Sequence, residues 1–356
     1  MKGLKIIGLG GALPSRTVTN DALGEIMDTS DAWIFPRTGI HERKFCAEDE
    51  SALTLAIKAA DKAIQDAGIS KDSIGAIVVA SMSPDLATPS MAALVQKELE
   101  LPQVPALDLN AACSGFIYAL EVARGLLSAD LNVYDIYNEA KDGAENKPAA
   151  PKEKCALVIG TEQLSRLISM EDRSTAILFG DGAGAAIVKL NGEESTEDSK
   201  SKLYTSLLGS RGSGVIEAPA TYTGAYEKTL RTCTEESVPV DHMLMDGKEV
   251  FVFACDIIQR IINGLMTKTG ITLDDVDHVV CHQANARIIR HVIRAMHAPE
   301  EKFFMNMEKL GNVSAASIPI ALYEMQEKGL LHEGERLILA GFGGGLTWGG
   351  CVISYK

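Results

Sequence analysis

The chain has 356 residues, 46% hydrophobic and 23% charged, the balance of a globular protein with room for two core-bearing units. Its net charge of −14 argues against a general nucleic-acid binder, and any acidic partner would need a local basic patch to overcome the long-range repulsion. No uninterrupted apolar run approaches the roughly 20 residues that span a bilayer, and the N-terminal run is too brief for a secretory signal, so the expectation is a cytoplasmic protein without a membrane partner.

In chain order, strand-like and helix-like segments alternate, which predicts an α/β protein. Residues 5–9 read as a strand. Gly8, Gly10 and Gly11 invite a dinucleotide reading, but Leu13 stands at the third glycine position, Pro14 follows, and no helix opens there. Residues 52–67 read as a helix with Leu53, Ala56, Ile57, Ala60, Ile64 and Ala67 on one face. A buried strand is predicted at 74–81, a helix at 90–99, and a strand at 104–109 feeding a helix that starts near Cys113. Strand candidates follow at 155–160 and 176–190, with Gly180-Asp181-Gly182-Ala183-Gly184 marking a turn or close backbone approach. Two stretches break the rhythm: a polar surface insertion at about 129–154 and a charged, Ser-rich linker at 191–202.

The second half repeats the first in outline. The segment 276–282 resembles 74–81. The strand at 302–307 and the small-residue turn 310–317 parallel the approach to Cys113, and 336–340 parallels 156–159. This pattern predicts a duplicated α/β unit, with an N-terminal half at 1–190 and a C-terminal half at 203–356.

Within this frame a few positions invite chemistry. Cys113 sits where a strand meets a helix start, a place whose field favours thiolate and hence a covalent nucleophile; the alternative is a small buried hydrophobe. The seven cysteines contain no CxxC pair, so reduced thiols are expected rather than a disulfide framework or a zinc knuckle. His282, at the C-terminal end of a strand, faces the edge where open α/β sheets bind ligands, or is a satisfied buried imidazole. His278 lies four residues earlier on the same strand, which does not bring the two rings together, so no metal site is expected. Asn312 stands in a Gly-Asn-x-Ser turn, where Ser314 could cap the helix that follows. Gly343, Gly344 and Gly345 let a backbone approach a ligand and present N–H groups to an oxyanion, or form a tight turn. Arg287, Arg290, His291 and Arg294 make one face of an amphipathic helix at 286–296, either a docking surface for an acidic partner or a solvated, salt-bridged face.

The motifs Asp28-Thr29-Ser30-Asp31-Ala32-Trp33-Ile34, Arg37-Thr38-Gly39-Ile40, Ala111-Ala112-Cys113-Ser114-Gly115-Phe116, Phe179-Gly180-Asp181-Gly182-Ala183-Gly184-Ala185, His282-Gln283-Ala284-Asn285, Gly311-Asn312-Val313-Ser314-Ala315-Ala316-Ser317 and Gly341-Phe342-Gly343-Gly344-Gly345-Leu346-Thr347-Trp348-Gly349 occur in one order. With them the chain resembles β-ketoacyl-acyl carrier protein synthase III, the initiating condensing enzyme of fatty-acid synthesis in the thiolase superfamily. The resemblance implies a duplicated thiolase-like fold of five layers, αβαβα, usually a homodimer. It implies a Cys113–His282–Asn312 triad that condenses an acyl-CoA primer with malonyl-acyl carrier protein through an acyl-Cys intermediate, both partners being substrates and no cofactor being required. His282 and Asn312 would hold the enolate formed on decarboxylation, and backbone N–H groups of Cys113 and the 343–345 loop the oxyanion.

By the same resemblance Trp33 and Arg173 match positions that sandwich the CoA adenine, and Arg37 lies near its phosphates. Thr29, Gly247, Phe251, Ala284 and Asn285 match the pantetheine channel. Arg287 matches the carrier-protein contact, which extends to Arg290 and Arg294 along the basic stripe. Leu310 and Val313 depart from the usual turn composition. Thr88 stands where acetyl-preferring members carry a Phe that closes the acyl pocket, which implies room for longer or branched primers. Other readings are a related starter-condensing enzyme of secondary metabolism, a cysteine hydrolase and a non-catalytic acyl binder.

Overall fold

The computed structural model describes residues 3–129, 154–191, 204–219 and 242–356. Apart from residues 129, 154 and 191, the expected insertion at 129–154 and linker at 191–202 lie outside the described residues. The strands are β1 (Leu4–Ala12), β2 (Arg16–Thr19), β3 (Glu42–Phe45), β4 (Ile74–Ala80), β5 (Ala106–Leu109), β6 (Cys155–Gln163), β7 (Asp181–Leu190), β8 (Thr205–Ser213), β9 (Ile216–Glu217), β10 (Leu244–Met245), β11 (His278–Cys281), β12 (Arg336–Gly343) and β13 (Gly345–Tyr355). The helices are α1 (Asn20–Gly24), α2 (Asp31–Thr38), α3 (Ala52–Ala67), α4 (Met91–Glu98), α5 (Gly115–Ser128), α6 (Arg173–Ala176), α7 (Gly247–Thr269), α8 (Ala286–Met296), α9 (Met307–Leu310) and α10 (Ser317–Glu327).

One pairing pattern occurs twice. In the first half β1 runs antiparallel to β7 and β7 to β6, after which β6, β4 and β5 are parallel. In the second half β8 runs antiparallel to β13 and β13 to β12, after which β12 and β11 are parallel and β11 bridges Phe303 in parallel. The two sheets meet where β1 and β13 pair in parallel, Lys5 opposite Ser354 and Ile6 opposite Tyr355.

Helices fill the spaces that these sheets leave. α3 is capped by reciprocal Ser51 and Thr54 bonds and buries an alanine-rich face. That face packs with α4 on the outer side of the first sheet. Gly8 and Gly10 of β1 lie directly against the α3 backbone, which explains their cluster without a nucleotide. α5 and α10 lie between the sheets, with Phe116, Ile117 and Leu120 meeting Ile318, Leu322 and Met325 in one core. α7 and α8 cover the second sheet from outside. The result is a five-layer αβαβα stack whose two central helices both begin at the same end of their sheets.

α7 has the length and apolarity to cross a membrane, with a mean hydropathy of 1.4 over its best window. It also carries Asp256 and Arg260, joined at 2.7 Å, while Val250, Ala254, Ile258, Ile261 and Leu265 are buried, which is the pattern of a core helix.

Candidate active site

Cys113 lies in the single helical turn Ala112–Ser114 between β5 and α5. Ala112 has a φ of +46°, a left-handed backbone that costs a residue with a Cβ about 1–2 kcal/mol. The second half repeats the turn before α10, where Ser314 has a φ of +44°. The duplicated elbow thus carries Cys113 in one half and, just before the other, Asn312.

Asn312 is fastened on three sides. Its N–H donates to the Leu178 carbonyl at 2.8 Å, its carbonyl accepts from the Gly180 N–H at 2.9 Å, and its Oδ1 accepts from the Ser314 N–H at 2.9 Å. The last bond fixes the amide, so that Nδ2 is the end left to donate. Ser314 does not cap α10 as expected; its Oγ is 3.7 Å from the Met82 sulfur. The glycines of 180–184 serve this packing: Gly180 lies against the Leu310 carbonyl, where a Cβ has no space. Asp181 then accepts from the Cys46 N–H at 2.8 Å and from the Ser165 N–H and hydroxyl at 2.8 and 2.6 Å.

His282 follows β11, its N–H donating to the Ala340 carbonyl at 2.8 Å and its ring edge-on to Phe342. Burial pushes the imidazole down to about 3, so the ring is neutral at physiological pH. Its Nδ1 is 2.7 Å from the Ser317 hydroxyl.

Burial also pushes the Cys113 thiol up, to about 12, despite a hydrogen bond from Ser314 that works in the opposite direction. This shift runs against the expected thiolate bias. A helix start supplies at most about 2 kcal/mol, roughly 1.5 pKa units, which is less than desolvation withdraws here.

The glycine hairpin between β12 and β13 closes over this elbow. A Cβ on Gly343 would stand 2.5 Å from the Cys113 nitrogen, so only glycine allows the approach. Thr347 ties the two together, its Oγ1 donating to the Ala111 carbonyl at 2.9 Å while accepting from the Ser114 hydroxyl at 2.8 Å.

Cys113, His282, Asn312, Gly343, Gly344 and Gly345 all line one cavity of about 620 Å³. Gly247, Phe251, Ala284 and Asn285 line the same cavity. Asn285 caps α8 and donates through Nδ2 to the Arg37 carbonyl at 3.0 Å, joining this wall to α2.

Trp33, Arg37 and Arg173 lie outside the cavity lining as a separate cluster. Both guanidinium groups stack on the Trp33 ring, Arg37 at 4.5 Å and Arg173 at 4.4 Å from its centroid. Thr29 also lies outside the lining, and its hydroxyl is buried with no partner among the described residues.

Thr88 is not brought to this cavity by its own chain. It is exposed on the turn between β4 and α4. The apolar lining of the cavity includes Met82, Leu178, Phe179 and Met243.

α8 matches its predicted span. Arg287, Arg290, His291 and Arg294 are exposed and line a shallow groove with Phe251, Ile293 and Glu300. Arg287 lies over the Phe251 ring at 5.5 Å, linking the groove to the cavity mouth.

Two buried groups around the site, Glu162 and Ser317, escaped the sequence reading. Glu162 on β6 is fully buried, and burial pushes its carboxyl up to about 7. It accepts from the Ser83 hydroxyl at 2.5 Å and the Met82 N–H at 3.2 Å, holding the Met82 loop in place. Ser317 sits inside a quoted motif, three residues beyond Ser314, and only its contact with His282 distinguishes it.

Comparison with known proteins is decisive. The chain is 39% identical over its full length to a curated β-ketoacyl-[acyl-carrier-protein] synthase III of Clostridium botulinum, which it covers completely. The chain belongs to the β-ketoacyl-acyl carrier protein synthase III family. Profiles described as 3-oxoacyl-[acyl-carrier-protein (ACP)] synthase III and as its C-terminal part match residues 144–209 and 266–355. The crystal structure of the Aquifex aeolicus 3-oxoacyl-[acyl-carrier-protein] synthase III superposes with a TM-score of 0.81 at 35% identity, covering 99% of this chain and all of that one. A priming β-ketosynthase of the R1128 polyketide pathway superposes with a TM-score of 0.82 at 27% identity, covering 100% of this chain and 97% of that one. The thiolase-like fold and membership of a family of condensing acyltransferases of fatty-acid synthesis follow.

Proposed function

We propose that this enzyme condenses an acyl-CoA primer with malonyl-acyl carrier protein, carrying the acyl group on Cys113. The single observation that carries this reading is the convergence of Cys113, His282, Asn312 and the 343–345 hairpin on one cavity.

In the first half-reaction the Cys113 sulfur bonds to the thioester carbonyl carbon and the bond to the CoA sulfur breaks. The cysteine proton leaves on the CoA thiol, so a weakly acidic Cys113 imposes no net proton transfer to solvent. Backbone N–H groups of Cys113 and of the 343–345 hairpin take the oxyanion. A donor of this kind is typically worth about 3–4 kcal/mol of barrier.

In the second half-reaction the malonyl carbon–carbon bond breaks, carbon dioxide leaves, and the electron pair passes into an enolate. His282 Nε2–H and Asn312 Nδ2–H donate to its oxygen. A neutral imidazole suits this task, because it stabilises charge without first losing a proton to the substrate. The enolate carbon attacks the acyl carbonyl, the bond to Cys113 breaks, and the sulfur regains a proton from solvent.

CoA enters along Gly247, Phe251, Ala284 and Asn285. Its adenine takes the place of one guanidinium on Trp33, with Arg37 and Arg173 near the adenine and its phosphates. Thr29 turns its buried hydroxyl toward the channel. Carrier protein docks on Arg287, Arg290 and Arg294, none of which has a carboxylate partner among the described residues. The enzyme works in the cytoplasm as a homodimer, the arrangement in which Thr88, exposed on its own chain, could reach an acyl pocket.

The primer extends beyond acetyl, because Thr88 is small and two of the apolar wall residues are adaptable methionines. The test is condensation with a primer series from acetyl- to branched five-carbon acyl-CoA, scored by the β-ketoacyl carrier-protein product. Products from the longer primers, absent with Cys113→Ala, are expected; a strict preference for acetyl-CoA would sink the primer assignment.

A further inference from the structure

The surroundings favour one direction for the hydrogen bond between Ser317 and His282. Ser317 is buried at the first position of α10, and its oxygen is 2.7 Å from His282 Nδ1 and 3.4 Å from the backbone nitrogen of Gln283. The Gln283 N–H can only donate, so the serine oxygen is the acceptor of that contact. The serine's own proton then needs an acceptor, and among the described residues the only one bonded to it is Nδ1. A hydroxyl that donates to Nδ1 leaves that nitrogen unprotonated and places the ring proton on Nε2.

Gln283 is itself held rigidly. Its side chain donates to the Cys281 and Phe304 carbonyls at 2.8 and 3.1 Å and accepts from the Asn306 N–H at 3.1 Å. The backbone that presents its N–H to Ser317 is therefore anchored on both sides of His282.

We infer that Ser317 is a positioning residue of the condensation step, its hydroxyl holding His282 in the Nε2–H form that donates to the enolate oxygen. The inference rests on the enolate-holding role proposed for His282. The turn 312–317 thereby sets both donors: the Ser314 N–H turns the Asn312 amide, and the Ser317 hydroxyl sets the His282 proton. Ser317 touches neither nucleophile nor cavity, so its loss should slow one half-reaction and spare the other.

The direct test is ¹⁵N NMR of the histidine rings in the full-length wild-type enzyme, with His282 assigned by its disappearance in His282→Ala. A protonated Nε2 and a bare Nδ1 are expected; a protonated Nδ1 overturns the inference, whatever any variant does. The kinetic arm compares Ser317→Ala and Ser317→Thr. The alanine variant should slow malonyl decarboxylation roughly tenfold, the scale of one buried hydrogen bond. Acylation of Cys113 by acyl-CoA should stay within about twofold, and threonine should restore decarboxylation. Unchanged decarboxylation in Ser317→Ala, or parallel loss of both half-reactions, contradicts the assignment. His282→Ala with undiminished decarboxylation would instead remove the role of His282 itself, a failure of the proposed function separate from the tautomer result.

Discussion

Burial holds the Cys113 thiol near 12 while the start of α5 pulls the other way, and the larger effect wins. Cys113 is therefore held as a thiol, and on the proposed mechanism its anion forms only as the acyl carbonyl and the oxyanion donors come together. The sign for pH dependence follows: below its pKa the thiolate fraction grows tenfold per pH unit. Alkylation of Cys113 by iodoacetamide, followed by peptide mass mapping, should rise about tenfold per unit from pH 7 to pH 9. A plateau beginning near pH 7 would show a thiolate already formed. At this scale the sequence was only partly legible. Cys113, His282 and Asn312 could be named from their motifs, but the protonation of Cys113 depends on how much water the folded cavity admits. Glu162 and Ser317 carry no motif of their own, and their roles arise from neighbours 79 and 35 residues away.

Between residue and fold stand two repeated elbows, a glycine hairpin and a basic helix. The elbows share a left-handed residue, Ala112 in one and Ser314 in the other, and the hairpin fits only because Gly343 has no side chain. α8 was the most legible element, since its apolar and basic residues alternate with helical period and its observed span equals the predicted one. α7, the longest helix among the described residues, was absent from the sequence reading although Val250, Ala254, Ile258, Ile261 and Leu265 mark one face. Thr88 lies on an exposed turn outside the cavity of its own chain, and a single sequence does not tell which side of a turn faces a pocket. On the docking reading, Arg287→Glu should raise the KM for malonyl carrier protein roughly tenfold, with the KM for acyl-CoA within about twofold. Equal KM values for carrier protein in wild type and variant would remove α8 from the docking surface.

At the scale of the whole molecule, duplication brings distant residues into one site. Each half supplies a sheet with the same antiparallel and parallel order and a central helix that begins at the same end. Facing starts of α5 and α10 bring Cys113 and Asn312 to one cavity across 199 residues of chain, and β11 delivers His282 to the same edge. The repeated strand-and-turn pattern was visible in sequence because both halves keep the same order of buried strand, small-residue turn and helix. The opposition of the two elbows was not, because it depends on how the halves pack. Against the molecule's charge of −14 the exposed arginines of α8 are a local exception, and the proposed docking of carrier protein rests on them. The claim that joins all three scales is that Cys113 carries the acyl group between two substrates. Intact-protein mass spectrometry after mixing with an acyl-CoA tests it most directly. The account predicts one acyl adduct per chain, absent in Cys113→Ala and discharged by malonyl carrier protein; an adduct that persists in Cys113→Ala, or one that water removes as fast as malonyl carrier protein does, would contradict it.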